Sequence, residues 1–453
     1  MLSFNPLKSK YCPQFARNIL ASVRGHQLNW WRYGKDTEQL VEEALKQESW
    51  SVDQWNQWQK KRLAFVLERA RKTVPYYREY WDARGNSCEW KDLSKWPLLK
   101  KSELRKSSES FVAADVTKFL MYRDHTGGTT GTAQNIWLRR ETIHRQYALF
   151  EARVRRWNGF SLNDSWGMLG GQLVVPYSRK KPPFWVWNSG MNQLYLSPYH
   201  LSSDLMGFYV EAISKYGLRY LLGYPSALNT LASWVIENKK QQDVSLEAVI
   251  TNSEPLYDYQ RENIASAFNC RVIETYGMGE AVAGASECSE GVMHLWPEYG
   301  IVEEIDGELI CTSLLNEDMP LIRYRVGDRG ELSDERCGCG RTLPILKNIE
   351  GRTDDVLIAA DGREVGTIGP VFSKNLPVLE AQVIQRKDRS LSVRYVPLSN
   401  SVSDIEKELG NRLRERLGHV DFEFEKVDAI SRTSNGKFRA VISEISGAVD
   451  SNQ

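Results

Sequence analysis

A chain of 453 residues exceeds what one ordinary hydrophobic core supports, so two or more domains are expected. A hydrophobic share of 42% and a charged share of 26% are those of a globular protein, which excludes disordered and fibrous classes. A net charge of +1 without a long basic stripe gives nucleic acid no electrostatic footing. No window approaches the roughly 20 apolar residues of a membrane span, and the opening MLSFNPLKSKYCPQFARNIL lacks the apolar run of a signal peptide. Seven thinly spread cysteines argue against a disulfide scaffold. A cytoplasmic protein is the expectation.

In chain order, residues 1–110 read as helical. SVDQWNQWQKKRLAFVLERARKTVPYY carries a cap at Ser51 and Gln54, apolar residues near helical spacing from Trp55 to Ala70, and a stop before Pro75. HTGGTTGTAQ (125–134) packs three glycines and four threonines, poor material for a helix or a core strand. It is either a plain turn or a nest of N–H groups and hydroxyls for phosphate, and it is not a Walker A loop. A helix from about Glu141 to Trp157 should follow, closed by Gly159. The tryptophans of RRWNGF, DSWGML and PPFWVWNSG can line a pocket or pack a core, with packing expected.

The middle alternates. A helix capped at Ser202 or Ser203 runs to Tyr216, LRYLL reads as a strand, and SALNTLASWVIENKK reads as a helix. LEAVITN is then a strand, YDYQRENIASAF a helix and CRVIETYG a strand. This pattern predicts parallel βαβ units with ligands at the carboxyl ends of the strands. GYPS (223–226), NSEP (252–255) and TYGMGEA (275–281) fall at such ends. Beyond residue 300 hairpin signals appear at Asp306-Gly307 and Asp361-Gly362. GRTDDVL then leads into strands, a helix and a further strand, which fit a small separate α+β domain.

Four stretches stand in order: HTGGTTGTAQ, ETYGMGEA, RYRVGDRGEL and SRTSNGKFRA. With TVPYYRE, GYPSAL, TNSEPL and CGCGRTLPILKNIEGRTDDVL, the chain resembles the adenylate-forming (AMP-binding) ligase superfamily over about residues 60 to 440. The branch it resembles holds the phenylacetate–coenzyme A ligases and CapK-like relatives from capsular polysaccharide loci. The resemblance implies an α/β fold. A large N-terminal domain (1–350) with parallel sheets and helices would precede a small mobile C-terminal domain (351–453). It implies ATP, Mg²⁺ and coenzyme A as cofactor and co-substrates, and a small carboxylic acid as substrate. The acid would become an acyl-adenylate, and coenzyme A or a phosphopantetheine carrier would take the acyl group. Alternatives are transfer to a carrier protein or amine in surface polysaccharide modification, and a non-catalytic nucleotide-binding scaffold.

Residue by residue, the resemblance places Thr126, Gly127, Gly128, Thr129, Thr130 and Gly131 on the phosphates, with Thr130 in the catalytic set. Tyr276 and Gly277 would flank adenine, Glu280 hold Mg²⁺, and Asp328 accept the ribose hydroxyls. Arg352 would lie near ribose or phosphate, and Asp354 at the interdomain hinge. Lys437 would bridge the substrate carboxylate and the α-phosphate. Ser253, Glu254 and Pro255 would touch the nucleotide, with Tyr224, Pro225, Ser226, Asn252 and Ser253 lining the acyl pocket or the adenine edge. His125 can contact ligand or be structural. Two departures stand out: Thr132-Ala133 replace the Lys-Pro of many relatives, and Gly279 replaces a hydroxyl residue. Separately, Cys288, His294, Cys337 and Cys339 offer three thiols and an imidazole, a tetrahedral zinc set, although C-x-C is tight for a zinc knuckle. A reduced, metal-free trio of cysteines is the alternative.

Overall fold

The structure is a computed structural model that describes residues 12–85, 88–126, 134–352, 357–365, 371, 376, 378–397, 405–433 and 436–445. Two compact units emerge. One holds residues 1–23, 164–273 and 350–453, and the other holds 24–163 and 274–349.

The chain begins with helices α1 (Gln14–Arg32), α2 (Thr37–Gln47), α3 (Val52–Thr73), α4 (Pro75–Asp82) and α5 (Lys101–Lys106). α3 starts where its sequence predicts. Gln54 N–H donates to Ser51 Oγ at 3.3 Å and Ser51 N–H to Gln54 Oε1 at 2.8 Å, a reciprocal capping box. Strands β1 (Tyr122–Thr126) and β2 (Gln134–Leu138) form an antiparallel hairpin whose last pair is Thr126 with Gln134. Residues 127–133, between these strands, lie outside the described residues. α6 (Arg140–Phe150) follows, and the helix the sequence predicts to Trp157 changes pitch after Phe150. Residues Glu151–Arg155 widen into a π turn, Arg156–Asn158 tighten, and Gly159 closes the segment at φ +80°. The π turn buries Glu151 where its carboxylate takes Arg155, Arg156 and the Leu162 N–H.

Residues 164–273 form the alternating segment: β3 (Trp166–Leu169), β4 (Trp185–Asn188), β5 (Gln193–Leu196), α7 (Met206–Lys215), β6 (Tyr220–Gly223), α8 (Pro225–Glu237), β7 (Ala248–Thr251), α9 (Asp258–Phe268) and the start of β8 (Arg271–Gly277). The sheet order is β7-β6-β3-β5-β4, parallel except for edge strand β4. Strands and helices share one core, including Leu194, Leu221, Leu228, Leu231, Val249 and Ile264. Here β6 and β7, buried at every residue, read as continuous apolar runs because helices cover such a sheet.

The second unit continues with the end of β8, then β9 (Gly284–Glu287), β10 (Met293–Leu295), β11 (Gly300–Ile305), β12 (Glu308–Ser313), β13 (Tyr324–Ser333) and β14 (Ile345–Arg352). The order is β11-β12-β13-β14-β10-β9-β8. Asp306 (φ +53°) and Gly307 (φ +76°) turn β11 into β12, the primed geometry expected of Asp-Gly. Back in the first unit come β15 (Leu357–Ile358), β16 (Glu364–Val365), β17 (Val378–Gln385), β18 (Leu391–Pro397), α10 (Ile405–Leu417), β19 (Phe422–Lys426) and β20 (Val441–Ser443). α10 lays Ile405, Leu409, Leu413 and Leu417 on the four-stranded β19-β18-β17-β20 sheet, beside Val383, Val393 and Tyr395. No helix among the described residues is long and apolar enough to cross a membrane.

Candidate active site

Tyr276, Glu280 and Asp328, expected on the nucleotide side, lie in the second unit. Tyr276 is the penultimate residue of β8 and its hydroxyl donates to Asp328 Oδ2 at 2.9 Å. Asp328 sits in a bulge of β13: pairing with β12 jumps from Arg325–Ile310 to Arg329–Glu308, and Gly327 takes φ +71°. A bulge re-aims a side chain, and a glycine is what that backbone permits. Glu280 lies in the turn after β8, followed by Ala281 at φ +54°. The Tyr324 hydroxyl is 3.3 Å from Glu280 Oε1 and 3.3 Å from Gln134 Oε1, so its one proton is shared between them. Through Tyr324, Glu280 is tied to the residue that ends the Gly/Thr connection. Burial, then the neighbouring carboxylates, push both phenols above their usual range, so both remain donors.

The lysine loop belongs to the first unit. Lys437 N–H donates to Thr433 Oγ1 at 3.0 Å, and Gly436 N–H to the Thr433 carbonyl at 2.8 Å. Gly436 has φ +74°, and a Cβ there would stand 2.7 Å from the Tyr199 hydroxyl and 2.8 Å from Gly171 Cα. Only glycine allows this approach. Phe438 N–H donates to Glu254 Oε1 at 2.6 Å, while Ser226 N–H donates to Glu254 Oε2 at 3.2 Å. One carboxylate thus joins the lysine loop to the strand-end turns GYPS and NSEP. Burial raises the Glu254 carboxyl, against the pull of Arg432 and the two N–H donors. Arg432 forms a short ion pair with Glu380. Burial, then Glu254, push the Tyr224 phenol up to about 12. Ser253 adopts φ +68°, a strained setting for a residue with a Cβ, and Asn252 Oδ1 is buried without a hydrogen-bond partner among the described residues. Pro255 is exposed beside them.

The thiols and imidazole do converge. Cys288 follows β9, His294 lies in β10, and Cys337 and Cys339 lie between β13 and β14. Their ligand atoms lie within 4.8 Å of one another. Cys288 Sγ is 3.6 Å from Cys337 Sγ, and Cys339 Sγ is 3.4 Å from His294 Nε2. Tetrahedral zinc bonds of ~2.3 Å to sulfur and ~2.0 Å to nitrogen imply edges of about 3.8 and 3.5 Å. The geometry fits. His294 Nδ1 faces the Leu343 carbonyl at 3.2 Å, which assigns the proton to Nδ1 and leaves the Nε2 lone pair toward the thiols. Trp157, Val292 and Ile345 enclose the group. The Arg341 guanidinium lies 4.1 Å over the Trp157 ring and bonds Glu48 at 2.9 Å. Burial works to raise the Cys339 thiol, but the Arg341 N–H and guanidinium outweigh it and hold it below the usual range.

Gly127, Gly128, Thr129, Thr130, Gly131 and Asp354 lie outside the described residues, as do the side chains of His125, Thr126 and Arg352. Gly277 ends β8 at the surface. Sequence reasoning missed Tyr324, Gln134 and the Glu254 link. A signal existed for Tyr324, four residues before Asp328 in one strand, but the bulge that sets their relation comes from the pairing with β12.

Comparison with known proteins extends these observations. Residues 47–304 match the model of the AMP-binding enzyme family, and residues 357–444 match that of the CapK C-terminal domain. Protein CapK of Staphylococcus aureus is 26% identical over 96% of this chain and 98% of its own. The phenylacetate–coenzyme A ligase of Thermus thermophilus is 28% identical over 66% of this chain and 69% of its own. In fold, the chain resembles a crystal structure of 2-hydroxyisobutyryl-CoA ligase in the postadenylation state. The TM-score is 0.65 at 20% identity, covering 86% of this chain and 89% of that one.

Proposed function

We infer function from one premise: the chain belongs to the AMP-binding enzyme family, on the branch of CapK and the phenylacetate–coenzyme A ligases. We propose that it is an acyl-CoA synthetase-like ligase. The carboxylate of a small acid attacks the α-phosphate of ATP, forming an acyl-adenylate and releasing pyrophosphate. The thiol of coenzyme A then takes the acyl group and AMP leaves.

The observation that carries this reading is the tie from Glu280 through Tyr324 to Gln134, because a phosphate loop and a Mg²⁺ carboxylate must be neighbours. In our assignment the hydroxyls and N–H groups of Thr126–Gly131 hold the phosphates, Thr130 among them, and Glu280 supplies an oxygen to Mg²⁺. Mg²⁺ would neutralise charge on the phosphates. Tyr276, held by Asp328, stacks on adenine beside Gly277, and Asp328 takes the ribose hydroxyls. Arg352 attends ribose or phosphate. Ser253, Pro255 and the unpaired Asn252 oxygen face ligand, while Glu254 fixes the turn and the lysine loop. Lys437 stabilises the charge that develops as carboxylate meets α-phosphate. The small C-terminal domain, turning near Asp354, would serve the two half-reactions in different poses. Cys288, His294, Cys337 and Cys339 would hold a structural zinc, since a set of four protein ligands is that of structural rather than catalytic sites.

The test is pyrophosphate release with ATP and Mg²⁺ across aryl, short aliphatic, amino and sugar acids, without coenzyme A. Release with one acid, followed by thioester on adding coenzyme A, is expected. An adenylate passed only to an amine or a carrier would overturn the coenzyme A step. Absence of any ATP-dependent thermal stabilisation would overturn the enzyme reading in favour of a scaffold.

Glu254→Gln gives a finer check. An amide accepts only one of the two N–H groups and sets an NH₂ against the other, a loss of about 1.5–3 kcal/mol for a charge-assisted bond. Adenylation should fall roughly ten- to hundredfold, while thioester formation from supplied acyl-adenylate changes little. Equal loss in both half-reactions would show that Glu254 merely holds the fold.

A further inference from the structure

Lys437 is held through its neighbours. Glu254 takes the Phe438 N–H of the lysine loop, a contact that grips backbone alone. A second carboxylate grips a side chain of the same segment. Glu380 pairs with Arg432, five residues before Lys437, and each side chain is only 9% exposed. The Arg432 guanidinium lies 4.8 Å over the Phe438 ring, and its Nη1 donates to Ser226 Oγ at 3.5 Å.

Glu380 owes its aim to a bulge. Pairing of β17 with β18 jumps from Val378–Pro397 to Glu380–Val396, which gives β17 one extra residue. Such a bulge re-aims the side chain beside it. Here it sends Glu380 to α8, where the Thr230 hydroxyl shares its proton between Glu380 Oε1 at 3.1 Å and the Ser226 carbonyl at 2.9 Å. One carboxylate therefore joins the four-stranded sheet, the lysine loop and the helix that starts at GYPS, all within the first unit. Close packing is absent on one side: a cavity of ≈ 720 Å³ flanks the pair, lined by Tyr199, His200, Thr230, Lys426 and Ile430 among others. A withdrawn Arg–carboxylate pair is stronger than an exposed one, yet it breaks and re-forms without dismantling a core.

We propose that Glu380 is a positioning residue for the adenylating half-reaction. Through Arg432 and Thr230 it seats the lysine loop on α8, so that Lys437 is in place when carboxylate meets α-phosphate. Release of the same ties frees the loop for the thioester step. The proposal rests on the function inferred above. A segment that serves two half-reactions in different poses needs a seat whose ties are polar and few.

The test combines hydrogen exchange of the full chain with both half-reactions, for the wild type, Glu380→Gln and Thr230→Val. Glutamine keeps the size of Glu380 and removes its charge, whereas valine keeps the shape of Thr230 and removes its hydroxyl. Exchange at the Phe438 N–H should quicken about tenfold in Glu380→Gln and about threefold in Thr230→Val, the cost of a charge-assisted and a neutral hydrogen bond. The amides of β17 and β18 should exchange as in the wild type. Adenylation should fall by the same factors, with thioester formation from supplied acyl-adenylate within about twofold of the wild type or faster. Unchanged exchange at Phe438 in both variants would overturn the proposal. So would an equal fall in both half-reactions together with faster exchange throughout β17 and β18, which would make Glu380 a prop of the fold. Wild-type protein that releases no pyrophosphate with any acid would defeat the ligase reading instead, and the exchange rates would still decide whether Glu380 seats the loop.

Discussion

Replacing Lys437 with alanine is expected to lower ATP-dependent pyrophosphate release by about 10²- to 10³-fold, the cost of removing one preorganised charge-stabilising donor. Thioester formation from a supplied acyl-adenylate should stay within about twofold, because that half-reaction needs no cation at the α-phosphate. The size of the effect depends on how firmly the lysine is held. Its turn is closed by Thr433 Oγ1 and the Thr433 carbonyl, and Glu254 takes the next N–H. Gly436→Ala is the companion variant, with Lys437 kept. Its Cβ would meet the Tyr199 hydroxyl at 2.7 Å in a backbone of φ +74°, so the loop must lift and adenylation should fall with it. Adenylation undiminished in Lys437→Ala would remove the lysine from the mechanism.

The second large effect concerns the proposed metal centre. Protein purified without chelators should contain about one zinc per chain. Cys337→Ser should abolish most of that content and lower the thermal midpoint of the unit by about 10 °C. This follows from several kcal/mol for a lost ligand and roughly 2–4 °C per kcal/mol in a domain of this size. Three residues outside the ligand set make the loss structural. Trp157, Arg341 and Glu48 pack over the centre, so its collapse would loosen the Gln47–Trp50 corner as well. Activity should fail only as the fold does. Metal-free protein with the wild-type midpoint would refute the assignment.

The sequence by itself determined the elements whose cause is local. Ser51 and Gln54 cap α3 through their own backbone, Asp306-Gly307 turns β11 into β12, and the βαβ run from Tyr220 to Gly277 follows from apolar periodicity. Motif order also exposed the family, because its fingerprints are short and contiguous. The tertiary structure alone decided what depends on register and on long-range contact. The bulge that brings Asp328 to Tyr276 arises from pairing between two strands. Glu254 reaches Phe438 across 184 positions of sequence, which no spacing rule can anticipate. The four candidate metal ligands were legible as residue types; only the sheet that sets β10 beside β9 and β14 brings them within reach of one ion.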